Sequence, residues 1–299
     1  MTYLVTGGAG FIGSHLVPTL VAAGHRARVL DNFSTGKREH IPKDVELFEA
    51  DIRNLDSIRS AFKGVDGVFH MGALPRVQLS IDNPVETHEV NVTGTLNVLL
   101  AARDANVERI VYSASSAAYG DQATLPLHEE MKPNPKNPYG LQKYVGEEYA
   151  KIFSICYGLE TVSLRYFNIY GPRLSFQGAY VSVIAVFLQQ NKKGETLTIV
   201  GDGTQTRDFT FVEDVVRANM AAMESVKVGK GEVINVGAGA NQSVNFIAEQ
   251  FGGPTTHTSP RIEPHDTLAD IRKAKALLDW EPKVRFNDGL QRTREWFSK

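Results

Sequence analysis

The stretch that most constrains the fold is "LVTGGAGFIGSHL" at residues 4–16, which places four glycines between a strand-like run and an apolar-periodic, helix-like run. Glycines there permit a tight turn and a close approach of backbone N–H groups to a pyrophosphate at the helix N-terminus. The next strand-like run ends in Asp31, eighteen residues past Gly13, where a carboxylate accepts from ribose hydroxyls. We therefore predict a dinucleotide-binding unit. Because Asp31 would repel a 2′-phosphate, NAD is favoured over NADP. The alternative is a glycine turn followed by a solvated aspartate.

The rest of the chain continues this alternation. Short apolar runs such as "VELFEAD" and "RIVYSAS" alternate with amphipathic stretches such as "TGTLNVLLAARDAN". Such alternation predicts an α/β fold, a Rossmann-type doubly wound parallel sheet with helices on both faces. After about residue 165 the loops become rich in Gly, Pro and polar residues, which is typical of segments that carry a site. We predict an NAD-binding domain at 1–166, rejoined at about 209–236, and a smaller mixed α/β substrate-binding domain at 167–208 and 237–299.

Composition limits the partners and the compartment. Lys+Arg number 32 against 34 Asp+Glu, with no basic run, so neither nucleic acid nor an anionic membrane is expected as a partner. No signal-like segment precedes the first strand and no apolar stretch reaches the length of a membrane span, so we predict a cytoplasmic protein. The eight histidines show no metal-binding spacing, and no metal site is predicted. Cys156 is the sole cysteine, which excludes an intrachain disulfide, and we expect it in the core.

The segment "NPYGLQKYVGEEYA" at 137–150 permits two interpretations. Tyr139 and Lys143 lie one helical turn apart, and a neighbouring ammonium favours the phenolate form of a tyrosine, which makes it a better base. The lysine could also hold a nicotinamide ribose. Alternatively, the segment is a helix that presents aromatic residues for packing. Tyr144 and Tyr149 drift off the face of Tyr139 and suit packing or an interface.

Other polar residues follow predicted strands. Ser113, Ser115 and Ser116 come at the end of "RIVYSAS", on the carboxyl edge where open parallel sheets bind ligands. A serine hydroxyl there can donate to a substrate oxygen and relay its proton to a tyrosinate, although a serine-rich turn is the alternative. Asp51 ends the third strand and either reaches an adenine amine or is an ordinary turn aspartate. His70 is expected to be a packed strand histidine.

Taken together, these motifs resemble the extended short-chain dehydrogenase/reductases, and most closely the UDP-glucose (UDP-galactose) 4-epimerases. The resemblance runs nearly end to end, with nine segments in family order: "VTGGAGFIGSHL", "DNFSTGK", "NVTGTLNVL", "SASSAAYG", "NPYGLQK", "RYFNIYGPR", "GDGTQTRDFTFVEDVV", "NVGAG" and "LADIRKAKALLDWEP".

The resemblance implies specific roles for residues. Tyr139 is the implied general base, Lys143 its tuning partner and Ser115 the hydroxyl relay. Residues implied to bind NAD are Gly7, Gly10, Phe11, Ile12, Gly13, Asp31, Asn32, Ser34, Thr35, Gly36, Asp51, Ile52, Met71, Gly72, Ala73, Asn91, Ser113, Tyr139, Lys143 and Tyr166. Residues implied to bind the UDP-sugar are Ser115, Ser116, Tyr139, Asn168, Thr198, Val200, Arg207, Arg261 and Thr267. Arg207 suits phosphate because its guanidinium is planar, with a surface ion pair to Asp208 as the alternative.

The implied reaction is 4-epimerisation of a UDP-hexose through a 4-keto intermediate, with hydride passing to bound NAD and returning on the other face. Relatives that eliminate water carry Asp-Glu where this chain has Ser116 and Ala117, and related decarboxylases also carry Glu at the second place. Epimerases restricted to non-acetylated sugars carry tyrosine at the position of Thr267, so N-acetylated hexoses are expected to fit. The Arg261 segment is one residue short of the family spacing.

Three alternatives stay open at this point. A net NAD-dependent nucleotide-sugar oxidoreductase would use the same Tyr139 and Lys143, a UDP-glucuronate 4-epimerase would differ in the sugar, and a catalytically silent dinucleotide-binding sensor would keep only the fold. The family also pairs two subunits through helices near 88–104 and 139–156, so a homodimer is implied by analogy.

Overall fold

A computed structural model describes residues 1–176, 182–259 and 264–299. The strands are β1 Thr2–Thr6, β2 Arg26–Asp31, β3 Glu46–Glu49, β4 Gly67–His70, β5 Arg109–Ser115, β6 Glu160–Tyr166, β7 Leu197–Val200, β8 Thr206–Asp208, β9 Lys230–Val236, β10 Asn241–Ser243 and β11 Thr255–Thr258. The α-helices are α1 Gly13–Ala22, α2 Leu55–Ile58, α3 Val77–Asp82, α4 Pro84–His88, α5 Gly94–Asp104, α6 Pro138–Tyr157, α7 Val183–Lys193, α8 Val212–Glu224, α9 Val244–Phe251, α10 Arg272–Leu278 and α11 Phe286–Phe297. Short 3₁₀ segments cover Arg38–His40, Arg59–Phe62 and Ser116–Ala118, and a π-helical turn covers Glu89–Thr93.

The main sheet confirms the predicted α/β class. Seven strands lie in the order β3-β2-β1-β4-β5-β6-β9 and all neighbouring pairs are parallel. The strand order reverses direction between β1 and β4, so the loops after these strands open a crevice at the carboxyl edge. Two small sheets lie beside it, an antiparallel pair of β8 with β10 and a parallel pair of β7 with β11.

Apolar side chains cover both faces of the main sheet. Leu4 and Val5 are neighbours in β1, and because side chains alternate along a strand they enter different cores. Val5 packs with α1 and α8, whereas Leu4 packs with α5 and α6. A third core joins α7, α9 and α11 to β7. The sheet is therefore buried on both sides, as parallel sheets are.

Segments from the C-terminal part of the chain pack against the main sheet as well as the small sheets. Strand β9 pairs with β6 at the edge of the main sheet. Ala274, Leu278 and Trp280, which the sequence division placed with the substrate-binding domain, are buried in the core beside β1 and α8. The exact division of the chain into two domains stays a prediction. In the part of the chain that is described, no helix has the length and apolar character of a membrane span.

Helix α6 begins at Pro138, the second residue of the segment "NPYGLQKYVGEEYA". The Asn137 side chain accepts the Gly140 N–H at 2.9 Å and caps the first turn, and Pro138 suits that turn because its missing N–H is not needed there. The helix ends at Gly158, whose φ of 68° is the left-handed conformation that favours glycine. Cys156 lies on the outer side of the last turn and is exposed, so the expectation of a core thiol is wrong. Composition alone does not distinguish the outer face of a helix from the inner one.

Candidate active site

The crevice at the carboxyl edge of the sheet is a cleft of about 580 Å³. Its walls come from the loop between β1 and α1, the ends of β2, β4, β5 and β6, and the start of α6. Its volume is in the range of small-molecule and cofactor sites. Residues implied at the cofactor end that line it are Gly7, Gly10, Phe11, Ile12, Gly13, Asp31, Asn32, Ser34, Thr35, Asp51, Ile52, Met71, Gly72, Ala73, Ser113, Tyr139, Lys143 and Tyr166.

The glycine turn fits a pyrophosphate because two of its glycines allow no side chain. Gly7 has φ of 68°, and a Cβ on it would lie 2.8 Å from Gly72 Cα. A Cβ on Gly13 would lie 2.5 Å from the Gly7 carbonyl oxygen. A Cβ on Gly10 would meet only that same oxygen, at 3.2 Å, and Gly10 lines the cleft. The turn is therefore packed tightly from behind and leaves backbone facing the space where a phosphate would lie.

Asp31 stands at the end of β2, next to this turn. Its two carboxylate oxygens accept the Ala9 N–H at 3.0 Å and the Phe33 N–H at 2.8 Å. Burial raises the pKa of Asp31, and these two hydrogen bonds oppose the rise. The carboxylate is thus fixed against the glycine turn while it lines the cleft, which suits a ribose acceptor. Gly36 lies behind the turn against Ala9 and is not among the described residues that line the cleft.

Asp51 carries a partner that the sequence interpretation missed. Arg53 donates from Nη2 to the Asp51 carboxylate at 2.7 Å, and the Asn32 amide donates to it at 3.0 Å. The Arg53 guanidinium holds the pKa of Asp51 below its usual value. Arg53 also lines the cleft, two residues after the aspartate in "ADIR". An arginine two residues after an aspartate at a strand end was the sequence signal that could have predicted this ion pair.

Lys143, Tyr139 and Ser115 line the same part of the cleft, at the end of β5 and the start of α6. The Lys143 ammonium donates to the Ser113 carbonyl at 2.8 Å and lies 5.0 Å from the centroid of the Tyr112 ring. Burial lowers the pKa of Lys143 to about 8. Burial raises the pKa of the Tyr139 phenol, and a hydrogen bond with Ser115 opposes the rise. Lys143 is buried and the Tyr139 and Ser115 side chains are partly buried, and together they can move a proton.

The backbone of Tyr139 and the loop after β4 are also fixed. Tyr139 N–H donates to Ser80 Oγ at 3.0 Å, which ties the start of α6 to α3. Asn91 accepts the Leu74 N–H at 2.8 Å and donates to Gln142 at 2.9 Å. Asn91 is buried and, among the described residues, is not part of the cleft lining. Asn91 therefore supports the loop after β4 from beneath and does not face the cleft.

Two other strand-end residues differ in their environment. His70 is buried between Thr6 and Thr95, with its ring nitrogens 2.7 Å and 3.0 Å from their hydroxyl oxygens. Burial lowers the pKa of His70 to about 3, so it is neutral, as a packed strand histidine is expected to be. Tyr166 lines the cleft, its hydroxyl 3.2 Å from Ser113 Oγ.

The far end of the cleft is built by Asn168, Arg207 and Thr267. The Asn168 amide donates to the Asp208 carbonyl at 3.1 Å and to Thr267 Oγ1 at 3.4 Å. Arg207 donates to the His265 carbonyl at 2.8 Å. The Asp208 carboxylate turns away and accepts three backbone N–H groups, from Ala238, Gly239 and Ala269. The alternative that pairs Arg207 with Asp208 as a surface ion pair is therefore wrong, because that carboxylate is buried.

The remaining predicted sugar contacts divide into three groups. Ser115 and Ser116 line the cleft. Thr198 and Val200 lie on β7, where Thr198 exchanges two hydrogen bonds with Gln190, and neither belongs to the described lining. Arg261 lies outside the described residues.

Several lining residues were not anticipated from the sequence: Arg53, Leu74, Pro75, Arg76, Val77, Glu86, Val90, Lys136 and Asn137. In the ranges that the structure describes, no three His, Cys, Asp or Glu side chains cluster as metal ligands do.

Known proteins match this chain over nearly its whole length. The model of the NAD dependent epimerase/dehydratase family matches residues 3–237. A putative UDP-glucose 4-epimerase of Methanocaldococcus jannaschii is 40% identical, covering 98% of this chain and 97% of that protein.

Two solved structures are also close. A UDP-N-acetylglucosamine 4-epimerase from Methanobrevibacter ruminantium, in complex with UDP-N-acetylmuramic acid, has a TM-score of 0.94 at 32% identity, covering 99% of this chain and 98% of that one. A Y149F mutant of the Bacillus cereus UDP-glucuronic acid 4-epimerase, in complex with NAD and a UDP-4-deoxy-4-fluoro-glucuronic acid, has a TM-score of 0.92 at 31% identity, covering 100% and 99%.

Proposed function

Because this chain belongs to the NAD dependent epimerase/dehydratase family, we propose that it is an NAD-dependent 4-epimerase of UDP-hexoses, acting on UDP-glucose and UDP-galactose and on their N-acetylated counterparts. The observation that carries the proposal is the convergence of Ser115, Tyr139 and Lys143 in one cleft with the glycine turn. The glycine turn would hold the phosphates of a dinucleotide in the same cleft that Tyr139 lines. The family and its NAD dependence are established by the matches, whereas the sugar is our proposal.

The residues divide the work as follows. NAD, when bound, supplies an acceptor for the hydride of the sugar's carbon 4 and returns it. The Tyr139 phenolate oxygen takes the proton of the 4-hydroxyl and returns it to the same sugar oxygen when the hydride comes back, so Tyr139 is a phenolate again at the end of each cycle. Ser115 donates a hydrogen bond to the same sugar oxygen and shortens the proton path. Lys143, as an ammonium ion, stabilises the tyrosinate.

The residues beside Ser115 favour epimerisation over elimination. Ser116 lines the cleft, and Ala117 follows it with no acidic group. A leaving hydroxyl must be protonated by a nearby acid, and neither side chain is acidic at neutral pH. The proposed product is therefore the 4-epimer with its hydroxyl retained.

Purified protein incubated with a panel of UDP-hexoses, without added NAD, tests the proposal. We expect UDP-glucose and UDP-galactose to interconvert, and the two N-acetylhexosamine nucleotides likewise, because Thr267 is small where it lines the cleft. Absorbance at 340 nm should stay flat, since hydride returns in every cycle. Product analysis by anion-exchange chromatography reads the outcome. Stoichiometric NADH with an oxidised sugar would instead establish a net oxidoreductase.

A matched pair of variants tests the assignment of Thr267. Thr267→Tyr is expected to remove activity on the N-acetylated pair and keep that on glucose and galactose, because the ring occupies the space of the acetyl group. Thr267→Ser keeps the hydroxyl bonded to Asn168 and should keep both activities. Equal loss on both sugar pairs would contradict this assignment.

The outer face of α6 supports a homodimer. Leu141, Ile152 and Ile155 are 51%, 47% and 66% exposed. At 3.6 residues per turn they form a stripe roughly 60° wide, opposite to Tyr139 and Lys143. An apolar stripe at solvent with helical spacing is typical of an interface. The pairing partner that the family resemblance implies for this helix is its counterpart in a second copy of the chain.

An Ile152→Glu/Ile155→Glu double variant is expected to be monomeric, because two carboxylates placed in an apolar interface would lose their hydration. Light scattering coupled to size-exclusion chromatography measures the mass. Val226→Glu, at a position that is 95% exposed away from α6, serves as the control and should leave the mass unchanged. A monomeric parent protein, or a dimer that survives the double change, would contradict the proposed interface.

A further inference from the structure

We infer that Glu147 is a positioning residue of this active site: held by Arg165, it keeps Lys143 as an ammonium ion beside Tyr139. The inference rests on the proposed function, since it explains how the chain maintains the charge that the proposed tyrosine base needs. Glu147 does not line the cleft among the described residues, so it acts through Lys143.

Lys143 needs a counter-charge because of where it lies. Its side chain is buried, and the contacts described above are the Ser113 carbonyl and the Tyr112 ring, both uncharged. An ammonium ion out of water loses its proton readily unless an opposite charge is near. Burial accordingly lowers the pKa of Lys143, and the Glu147 carboxylate raises it.

Glu147 is placed for this role by helix geometry. It follows Lys143 by four residues in α6, so the two side chains share one face of the helix. Its own relative exposure is 1%, which would normally favour the neutral acid. Burial raises the pKa of Glu147, and the Arg165 guanidinium opposes the rise.

Arg165 holds both oxygens of the Glu147 carboxylate. From β6, its Nε donates to Oε1 at 2.9 Å and its Nη2 donates to Oε2 at 2.6 Å. This is the two-pronged geometry in which arginine binds a carboxylate most strongly. Its guanidinium also lies 4.4 Å from the centroid of the Tyr119 ring. Within the described residues its Nη1 atom has no hydrogen-bond partner, so this nitrogen adds no second carboxylate to the group.

The charges of the buried group add to a net positive value. Lys143 and Arg165 are cations and Glu147 is the carboxylate between them. The titratable side chains that face them from β4, β5 and the turn after β5 are neutral near pH 7: burial lowers the pKa of His70, and burial raises the pKa of Tyr112 and Tyr119.

On the helix itself, Tyr144 is neutral because burial raises its pKa, and Glu148 is exposed. Glu129, in the loop before α6, accepts the Asn235 N–H and acts on Tyr119, and burial raises its own pKa. A net cation therefore lies one helical turn from the Tyr139 phenol, and it favours the phenolate.

The test is Glu147→Gln, which keeps the shape and removes the charge. We expect the pKa of Lys143 to fall by a unit or more, measured from the Cε signal of ¹³C-labelled lysine and assigned by its absence in Lys143→Met. Since the ammonium form is needed, activity is lost as pH rises through this pKa, so the alkaline limb of the kcat profile moves to lower pH. From a parent pKa of about 8, kcat at pH 8 should drop about fivefold.

Glu148→Gln is the matched control. It removes one charge from the next position of the same helix, where the side chain is exposed. Solvent screens that charge, so both the lysine titration and the kcat profile should stay at the parent values.

A second variant guards against misfolding, because Glu147→Gln leaves the Arg165 guanidinium buried without its carboxylate. Glu147→Met/Arg165→Met removes the pair together with near-equal volume. We expect it to keep the parent thermal midpoint and NAD content and to show a smaller fall in the lysine pKa than Glu147→Gln, because the Arg165 cation is removed together with the carboxylate. Unchanged lysine titration and an unchanged alkaline limb in these variants would overturn the inference, even if kcat fell. The proposed function would then still stand if Tyr139→Phe abolished turnover.

Discussion

A Tyr139→Phe variant is expected to fold, to keep its NAD and to lose turnover by about 10²- to 10⁴-fold, the usual contribution of a positioned proton-transfer group. The Tyr139 side chain is partly buried, and phenylalanine fills the same space apart from the hydroxyl. The Ser80 hydroxyl still receives the backbone N–H of residue 139. What disappears is the oxygen that we propose accepts the proton of the sugar's 4-hydroxyl. The measurement is kcat on UDP-glucose, with NAD content and thermal midpoint recorded beside it.

Tyr144→Phe is the control on the same helix. It removes a hydroxyl five residues further on, away from the cleft lining, and should leave kcat at the parent value. Full activity in Tyr139→Phe would reject the proposed mechanism and reopen the non-catalytic dinucleotide-binding protein. Loss of NAD together with turnover would instead point to a structural role for the phenol.

The cofactor end of the site was predictable because its requirements are local. A glycine turn between a strand and a helix fixes the backbone geometry within about ten residues, and Asp31 follows at the end of the next strand. In the structure the Asp31 carboxylate accepts the Ala9 N–H from within that turn. The sheet was predictable for the same kind of reason, since strand and helix periodicities alternate along the chain.

The positions of residues that depend on packing between distant segments were harder to predict from the sequence. Asn91 was expected to contact NAD, yet it is buried under the loop after β4, where its amide holds Leu74 and Gln142. Thr198 and Val200 were expected at the sugar, but their strand pairs with β11 in the outer layer. Arg53 was missed because it reaches the site through an ion pair with Asp51, and that pair forms only in the folded loop. None of these contacts leaves a periodic signal in the sequence.

Helix α6 shows how two interpretations of one segment are reconciled. Its inner face carries Tyr139, Lys143 and Glu147, and its outer face carries an apolar stripe. Gly146 lies where α6 packs against β5, and a Cβ there would lie 2.2 Å from the Tyr112 hydroxyl oxygen. The helix can therefore approach β5 closely enough for Lys143 to reach the Ser113 carbonyl.

The second large effect is expected from Gly13→Ala, which should unfold the cofactor turn. The new methyl would lie 2.5 Å from the Gly7 oxygen and 2.6 Å from Gly8 Cα, and both are backbone atoms that cannot rotate away. Overpacking typically costs about 1–3 kcal/mol in the free energy of unfolding, and two clashes with backbone atoms place this change at the upper end. We expect the purified variant to hold no NAD and to melt well below the parent, by calorimetry and by assay of released nucleotide.

Gly10→Ala separates cofactor binding from folding. Its methyl would meet the Gly7 oxygen alone, at 3.2 Å, and otherwise point into the cleft. The fold should survive with a loss of about 1 kcal/mol, whereas NAD affinity should fall about tenfold or more, because the pyrophosphate needs close backbone approach there. A variant that keeps the parent NAD content would show that the phosphates lie elsewhere in the cleft.

Gly24→Ala, at the other end of the same helix, isolates the cost of backbone conformation. Gly24 has φ of 82° and no atom within 4 Å of an added Cβ, so the change introduces strain without a clash. Its cost is about 1 kcal/mol in stability, with NAD content unchanged. If Gly13→Ala behaved like Gly24→Ala, the turn would be tolerating a side chain, and the tight packing behind it could not be what shapes the phosphate site. If NAD is lost in Gly10→Ala and Gly13→Ala and kept in Gly24→Ala, that result would show that Gly10 and Gly13 act by leaving space for the pyrophosphate at the helix N-terminus.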